Sequence, residues 1–219
     1  MQPPVPGDGE YGMARWSPDG GRIVFGGKYN PPECDALAEQ GQTGGGGLNH
    51  LYLMNADGSD FSPLTEGCRQ GNSGARWSPD GSMIAFSSRR HAPSGQDIRP
   101  YGVIYLIDPV TGEETRLSAA DRLQSPVWSP GGDQLLAYWD WLKGVATVSV
   151  ADGSHDILFT VDDPAWVLPE VWSPDSQRAL VFMGDSPEQG DLHLLDLTTG
   201  ELTEIANTSK SWGGTDWRR

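Results

Sequence analysis

Trp16-Ser17-Pro18-Asp19-Gly20 recurs as Trp77-Ser78-Pro79-Asp80-Gly81, as Trp128-Ser129-Pro130-Gly131-Gly132 and as Trp172-Ser173-Pro174-Asp175-Ser176, with a clipped copy at Trp217-Arg218-Arg219. The five tryptophans stand 61, 51, 44 and 45 residues apart, a period at which internal repeats build propellers, solenoids or arrays. Each residue of the motif suits a reversal of the chain. Proline holds φ near −65° at the first corner, aspartate bonds its own backbone, and glycine accepts positive φ.

Between copies the chain offers three apolar or β-branched runs. In the first unit these are Arg22-Ile23-Val24-Phe25, His50-Leu51-Tyr52-Leu53-Met54 and Phe61-Ser62-Pro63-Leu64-Thr65. The last two runs of each unit are separated by a second turn: Asn55-Ala56-Asp57-Gly58, Pro109-Val110-Thr111-Gly112, Ala151-Asp152-Gly153 and Leu197-Thr198-Thr199-Gly200. With the segment entering each Trp, a unit holds four short strands, the content of a propeller blade. No unit has helical periodicity. The pattern predicts an all-β chain: a leader over 1–11, then a single β-propeller over 12–219. Its blades fall at about 12–68, 73–120, 124–162 and 167–207, with the first strand of a fifth at 211–219.

These units resemble the PD40-type, WD40-like repeats of the TolB-like β-propellers. Their pattern runs Pro-x-Trp-Ser-Pro-Asp-Gly, an apolar strand, a strand ending in Asp-x-x-Gly, and a strand closing on Leu-Thr. Ser125-Pro126-Val127-Trp128 matches the opening, while Leu64-Thr65 and Leu117-Ser118 match the close. The departures are Gly131 for Asp, Ser176 for Gly, and Arg218-Arg219 for Ser-Pro. The resemblance implies blades stacked face to face, with the recurring Trp packed between neighbours. Core positions are therefore expected for Trp16, Trp77, Trp128 and Trp172. Trp139, Trp141, Trp166 and Trp212 lie outside the repeat and are the better candidates for exposed contacts.

Composition narrows the function classes. The 219 residues carry a net charge of −15 and a pI near 4.4, with arginines scattered and no basic stripe. Attraction to nucleic acid or anionic lipid needs clustered positive charge, so neither partner is expected. No apolar run approaches the ~18 residues of a membrane-spanning helix, so no membrane insertion is expected. The N-terminus lacks the basic and apolar regions of a signal peptide.

Function is sought where units differ. The first has a long insertion between its second and third strands, about Lys28 to Asn49, and the second a shorter one, about Arg89 to Pro100. In the propeller that the resemblance implies, both open on the face that carries the blade-to-blade crossovers. They put Tyr29, Asn30, Arg89, Arg90, His91 and Arg99 on one rim, the candidate protein-binding surface. Cys34 and Cys68 share that face, where a disulfide and two reduced thiols are both open readings; a bridge would go with an extracellular or periplasmic location. Arg15, Arg76, Glu170 and Asp216 lead into successive Trp residues and form a candidate channel mouth. Trp212 and Trp217 mark a C-terminal strand able to pair with another chain.

Other chemistry is not supported. Gly7-Asp8-Gly9-Glu10-Tyr11-Gly12 fits a dinucleotide loop by letter but lacks strand-turn-helix context. Asn55 to Glu66 tracks a calcium loop except that Asp60 stands where glycine is required. His50, His91, His155 and His193 have no paired ligand spacing, and no Gly-x-Ser-x-Gly elbow occurs. The expectation is a protein without catalysis, metal or cofactor: an interaction or assembly scaffold binding through the rim of blades 1 and 2. Two alternatives stand beside it, self-assembly into an oligomer or filament through the C-terminal strand, and the propeller part of a prolyl-oligopeptidase-like hydrolase.

Overall fold

The computed structural model describes residues 11–28, 49–67, 71–90, 102–117, 122–139, 143–162, 166–186 and 189–208. Sixteen strands form four antiparallel four-stranded sheets, each a meander in chain order, and the described residues include no helix. Blade 1 comprises β1 (Tyr11–Trp16), β2 (Arg22–Lys28), β3 (Asn49–Asn55) and β4 (Ser62–Pro63). Blade 2 comprises β5 (Ser73–Trp77), β6 (Ile84–Ser88), β7 (Val103–Ile107) and β8 (Glu114–Arg116). Blade 3 runs through β9 (Leu123–Trp128), β10 (Gln134–Trp139), β11 (Gly144–Ser149) and β12 (His155–Thr160). Blade 4 runs through β13 (Trp166–Trp172), β14 (Arg178–Ser186), β15 (Gln189–Asp196) and β16 (Leu202–Thr208). The four sheets make a four-blade β-propeller, and the expected fifth-blade strand at 211–219 lies outside the described residues.

The Trp-Ser-Pro-Asp-Gly turn is held by one hydroxyl. Ser17 Oγ donates to Asp19 Oδ1 at 2.5 Å and accepts the Arg22 N–H at 2.9 Å. Ser78 with Asp80 and Met83, and Ser173 with Asp175 and Arg178, repeat both contacts. Blade 3 has Gly131 in place of the aspartate, yet its turn is closed in the same way. Ser129 Oγ donates at 2.9 Å to Asp133, two residues further on, and accepts the Gln134 N–H at 3.1 Å. Glycine closes three of the turns with φ of 70° to 75°, and Ser176 takes the fourth left-handed position at 59°.

A feature absent from the motif lies just before each Trp. All four innermost strands are bulged there, shifting register between Gly12 and Arg15, Ser73 and Arg76, Gln124 and Val127, and Pro169 and Val171. In blades 1 to 3 the bulge uses a left-handed residue, Met13, Gly74 or Ser125, and in blade 4 the extra residue is Glu170, between Pro169 and Val171. A bulge adds one residue and strengthens the local twist of the innermost strand.

Core packing sits between blades. Val24 and Leu51 of blade 1 meet Ala75, Trp77, Ile84, Phe86, Tyr105 and Ile107 of blade 2. Ala85, Ile104 and Leu106 then meet Leu123, Trp128, Leu135 and Ala137 of blade 3. Val127, Leu136 and Tyr138 meet Trp172, Ala179, Val181 and Leu195 of blade 4. Each buried indole also binds the previous blade's innermost strand. Trp77 Nε1 donates to the Arg15 carbonyl at 3.1 Å, Trp128 to Arg76 at 2.9 Å, and Trp172 to Val127 at 2.9 Å. Trp16 departs from the expected core position: it is 59% exposed and β1 is exposed along its whole length. Among the described residues no strand of blade 4 packs substantially on blade 1, so the Trp16 ring enters no described blade.

Candidate functional site

The registers place the two long connections. β2 ends with Lys28 opposite Asn49, and β6 ends with Ser88 opposite Val103. Both ends lie opposite the Ser-Pro-Asp-Gly turns, on the side of the crossovers into β5 and β9. Of the rim candidates, Arg89 and Arg90 are described, while Tyr29, Asn30, His91 and Arg99 lie outside the described residues, as do Cys34 and Cys68.

Arg90 turns back over its own blade. Its guanidinium lies 4.5 Å from the Tyr105 ring centroid and 5.8 Å from that of Phe86, and it forms a two-pronged ion pair with Glu114 at the start of β8. Its Nε also donates to Ser88 Oγ at 2.9 Å. Both partners are mostly buried, so Arg90 works as a strut across blade 2. Arg90 and Glu114 form one wall of a groove of about 480 Å³ between blades 1 and 2, whose other wall is Leu53, Ser62, Pro63 and Leu64.

Under the same rim lies a polar cluster that sequence reading missed. His50 is 2% exposed, and its Nδ1 lies 3.0 Å from the Thr65 carbonyl. A carbonyl only accepts, so the proton resides on Nδ1. Thr65 Oγ1 accepts the Leu51 N–H and the Asn72 side-chain amide, each at 2.9 Å, and the Asn72 N–H reaches the Asn49 carbonyl at 3.0 Å. The cluster ties β3 to the crossover that enters blade 2. Burial pushes the His50 pKa below the ordinary imidazole value and Arg90 adds to the shift, against the Thr65 carbonyl and Glu66, which favour the charged ring. In sequence His50 is one polar residue in an apolar strand, and only the pairing of distant Thr65 and Asn72 reveals its role.

At the channel mouth, Arg15, Arg76 and Glu170 belong to β1, β5 and β13, and Asp216 lies outside the described residues. Arg76 is pushed down to about 10, first by burial and then by the neighbouring Arg15 guanidinium, with Glu170 opposing. Arg15 donates to the Ala14 carbonyl at 3.0 Å and is exposed. The Arg15 and Arg76 guanidiniums thus repel each other at the inner end of blades 1 and 2, and Glu170 partly offsets that repulsion.

Of the tryptophans outside the repeat, Trp166 is 39% exposed, and Trp139 packs edge-on against His155 at 4.9 Å. Trp141, Trp212 and Trp217 lie outside the described residues. Among the described residues no group of three His, Cys, Asp or Glu side chains is arranged to hold a metal ion.

Stacked meanders with indole-linked innermost strands define a β-propeller, and the solved structures on which it superposes include TolB-like propellers. TolB from Acinetobacter baumannii superposes with a TM-score of 0.63 at 15% identity, over 92% of this chain and 45% of that one. Puromycin hydrolase superposes at 0.61 with 18% identity, over 94% of this chain and 29% of the hydrolase. In sequence, the uncharacterized peptidase YuxL of Bacillus subtilis (strain 168) is 22% identical over 205 residues, which are 91% of this chain and 26% of that protein. The chain therefore spans about a quarter of that relative's length. No protein-family model matches the chain. At these identities the likeness establishes the fold.

Proposed function

We propose that the chain is a non-catalytic propeller scaffold that binds a protein partner through the rim of blades 1 and 2. The observation that carries this reading is that the two longest connections leave neighbouring blades at the same end, Lys28 to Asn49 and Ser88 to Val103, from a rigid apolar interface. Binding residues concentrate on loops that a rigid scaffold positions. Arg89 stands at the root of the second connection, while Arg90 braces the blade beneath it. Replacing residues 30–47 by a short Gly-Ser linker should abolish capture of partners from host extract and leave thermal unfolding unchanged. Retention of every wild-type partner by that variant, and by Tyr29→Ala, Arg89→Ala, His91→Ala and Arg99→Ala together, would sink the proposal.

A second reading is favoured by the peptidase and hydrolase matches, each covered over less than a third of its length. Here the chain is the propeller part of a prolyl-oligopeptidase-like hydrolase, and catalysis resides elsewhere. Labelling of the chain by a serine-reactive fluorophosphonate is not expected under either reading. Labelling of a longer product of the same reading frame supports the second. An oxidising location accompanies the scaffold if Cys34 and Cys68 are bridged, which thiol titration of the unfolded, unreduced chain measures directly.

A further inference from the structure

The seam between blades 1 and 2 and the seam between blades 2 and 3 are built alike around a buried Trp, and they are covered differently. Arg22, six residues after Trp16, lies with its guanidinium 5.0 Å from the Trp77 ring centroid, and its Nη1 reaches the Pro109 carbonyl at 3.5 Å. Met83, six residues after Trp77, packs on the cluster that holds Trp128. Val150 takes the place of Pro109: each follows a residue, Ser149 or Asp108, whose carbonyl accepts the N–H of the glycine four positions on. Asp80 corresponds to Asp19, and each accepts from the serine of its own turn. The second seam thus keeps the aromatic ring, the carboxylate and the hairpin of the first, and lacks its cation.

What the second seam has instead is room. A cavity of about 400 Å³ is lined there by Trp128, Met83, Val150, Asp80, Ser82 and Gly131, among others. Gly131 stands where the other three turns carry Asp19, Asp80 and Asp175, so the wall lacks a side chain at that point. Ser78 Oγ, at 2.6 Å, and the Ser82 N–H, at 3.0 Å, donate to Asp80 and hold its carboxyl below the usual carboxylate range, so it is ionised at neutral pH. A guanidinium stacks flat on an aromatic face and pairs with a carboxylate. The chain itself places one at the equivalent point beside Trp77, and its net charge of −15 attracts cations generally.

We propose that the cavity between blades 2 and 3 binds the arginine side chain of a partner peptide, its guanidinium lying against Trp128 and pairing with Asp80. The cavity lies among the Ser-Pro-Asp-Gly turns, on the face opposite the rim, and the proposal is independent of the rim. The probe is N-acetyl-arginine amide, titrated to about 50 mM at constant ionic strength into isotope-labelled chain, a range that registers the millimolar binding expected of one side chain. The NMR signals of the Trp128 indole N–H and the Met83 methyl should shift together and saturate. N-acetyl-citrulline amide has the shape without the charge, and N-acetyl-lysine amide the charge without the plane; each should bind about 5-fold or more weakly. Met83→Arg sets the chain's own guanidinium beside Trp128, as Arg22 sits beside Trp77, and should weaken binding about 10-fold or more. Asp80→Asn keeps an oxygen for Ser78, removes the charge and should weaken binding about 2- to 10-fold. The citrulline and Asp80→Asn measurements do not depend on Met83→Arg folding. Absence of shifts at Trp128 and Met83, equal binding of the citrulline or lysine amide, or binding unchanged by Asp80→Asn or by folded Met83→Arg would each overturn the proposal.

Discussion

Trp128 and Trp16 are each followed by Ser-Pro and a closing Gly and have opposite surroundings in space, which makes them a useful pair. Trp128 is 9% exposed, and its indole donates at 2.9 Å to the Arg76 carbonyl of the adjoining blade. Trp128→Phe leaves that carbonyl without its donor, at a cost of about 1–3 kcal/mol. Trp128→Ala also removes most of a buried ring wedged between Ala85, Leu106, Leu135 and Ala137, for a total of about 3–5 kcal/mol. Trp16→Phe and Trp16→Ala remove an exposed ring with no indole acceptor among the described residues, and each should fall within about 0.5 kcal/mol of wild type in the monomer. Urea unfolding at micromolar chain, followed by circular dichroism, compares the four variants. Equal losses at the two positions would refute the view that stability comes from the neighbouring blade rather than from the turn that follows each Trp.

Three further outcomes follow from the same contacts. Native His50 is held neutral by burial, so the unfolded chain binds the extra proton; stability should be full above the ordinary imidazole pKa of about 6.5 and decline as pH falls below it. His50→Gln should flatten that decline in a pH series of unfolding curves. The Ser173 hydroxyl, then the Gln177 N–H, hold Asp175 below the usual carboxylate range, and Ser17 and Ser78 do the same for Asp19 and Asp80. These groups stabilise the fold above the ordinary aspartate pKa and lose that effect as pH drops through their lowered values, so Ser173→Ala should move the Asp175 carboxyl titration, read by carbon NMR, back upward. Arg90→Ala should cost about 1–2 kcal/mol, because it strips a cation from two aromatic faces and strands Glu114 in the groove; Arg90→Lys should restore less than half of the loss in the same unfolding assay.

The fold was legible because its signals are local. A proline, an aspartate and a glycine at fixed offsets make a reversal wherever they occur, and alternating apolar runs between such reversals have few other solutions. What was not legible depends on partners. Trp16 reads the same as Trp77 in sequence, and only the absence of a described blade beside it separates an exposed ring from a buried one. Arg90 reads as a rim charge, yet its length lets it lie over Tyr105 and reach Glu114, a pairing 24 residues away in the chain. The His50, Thr65 and Asn72 cluster spans a strand, its crossover and the next blade, so no short window contains it. The bulge before each Trp involves Met13, Gly74, Ser125 and Glu170, four residue types that share no letter pattern.

The trade between Gly131 and Asp133 bears on how such repeats diverge. A carboxylate reaching the serine hydroxyl from either of two positions gives the turn two interchangeable spellings. A lineage can acquire the second before losing the first, and cross from one to the other without passing through an open turn. Counting blades by their most regular spelling therefore undercounts them, and the serine, which all four described turns keep, is the better letter to count.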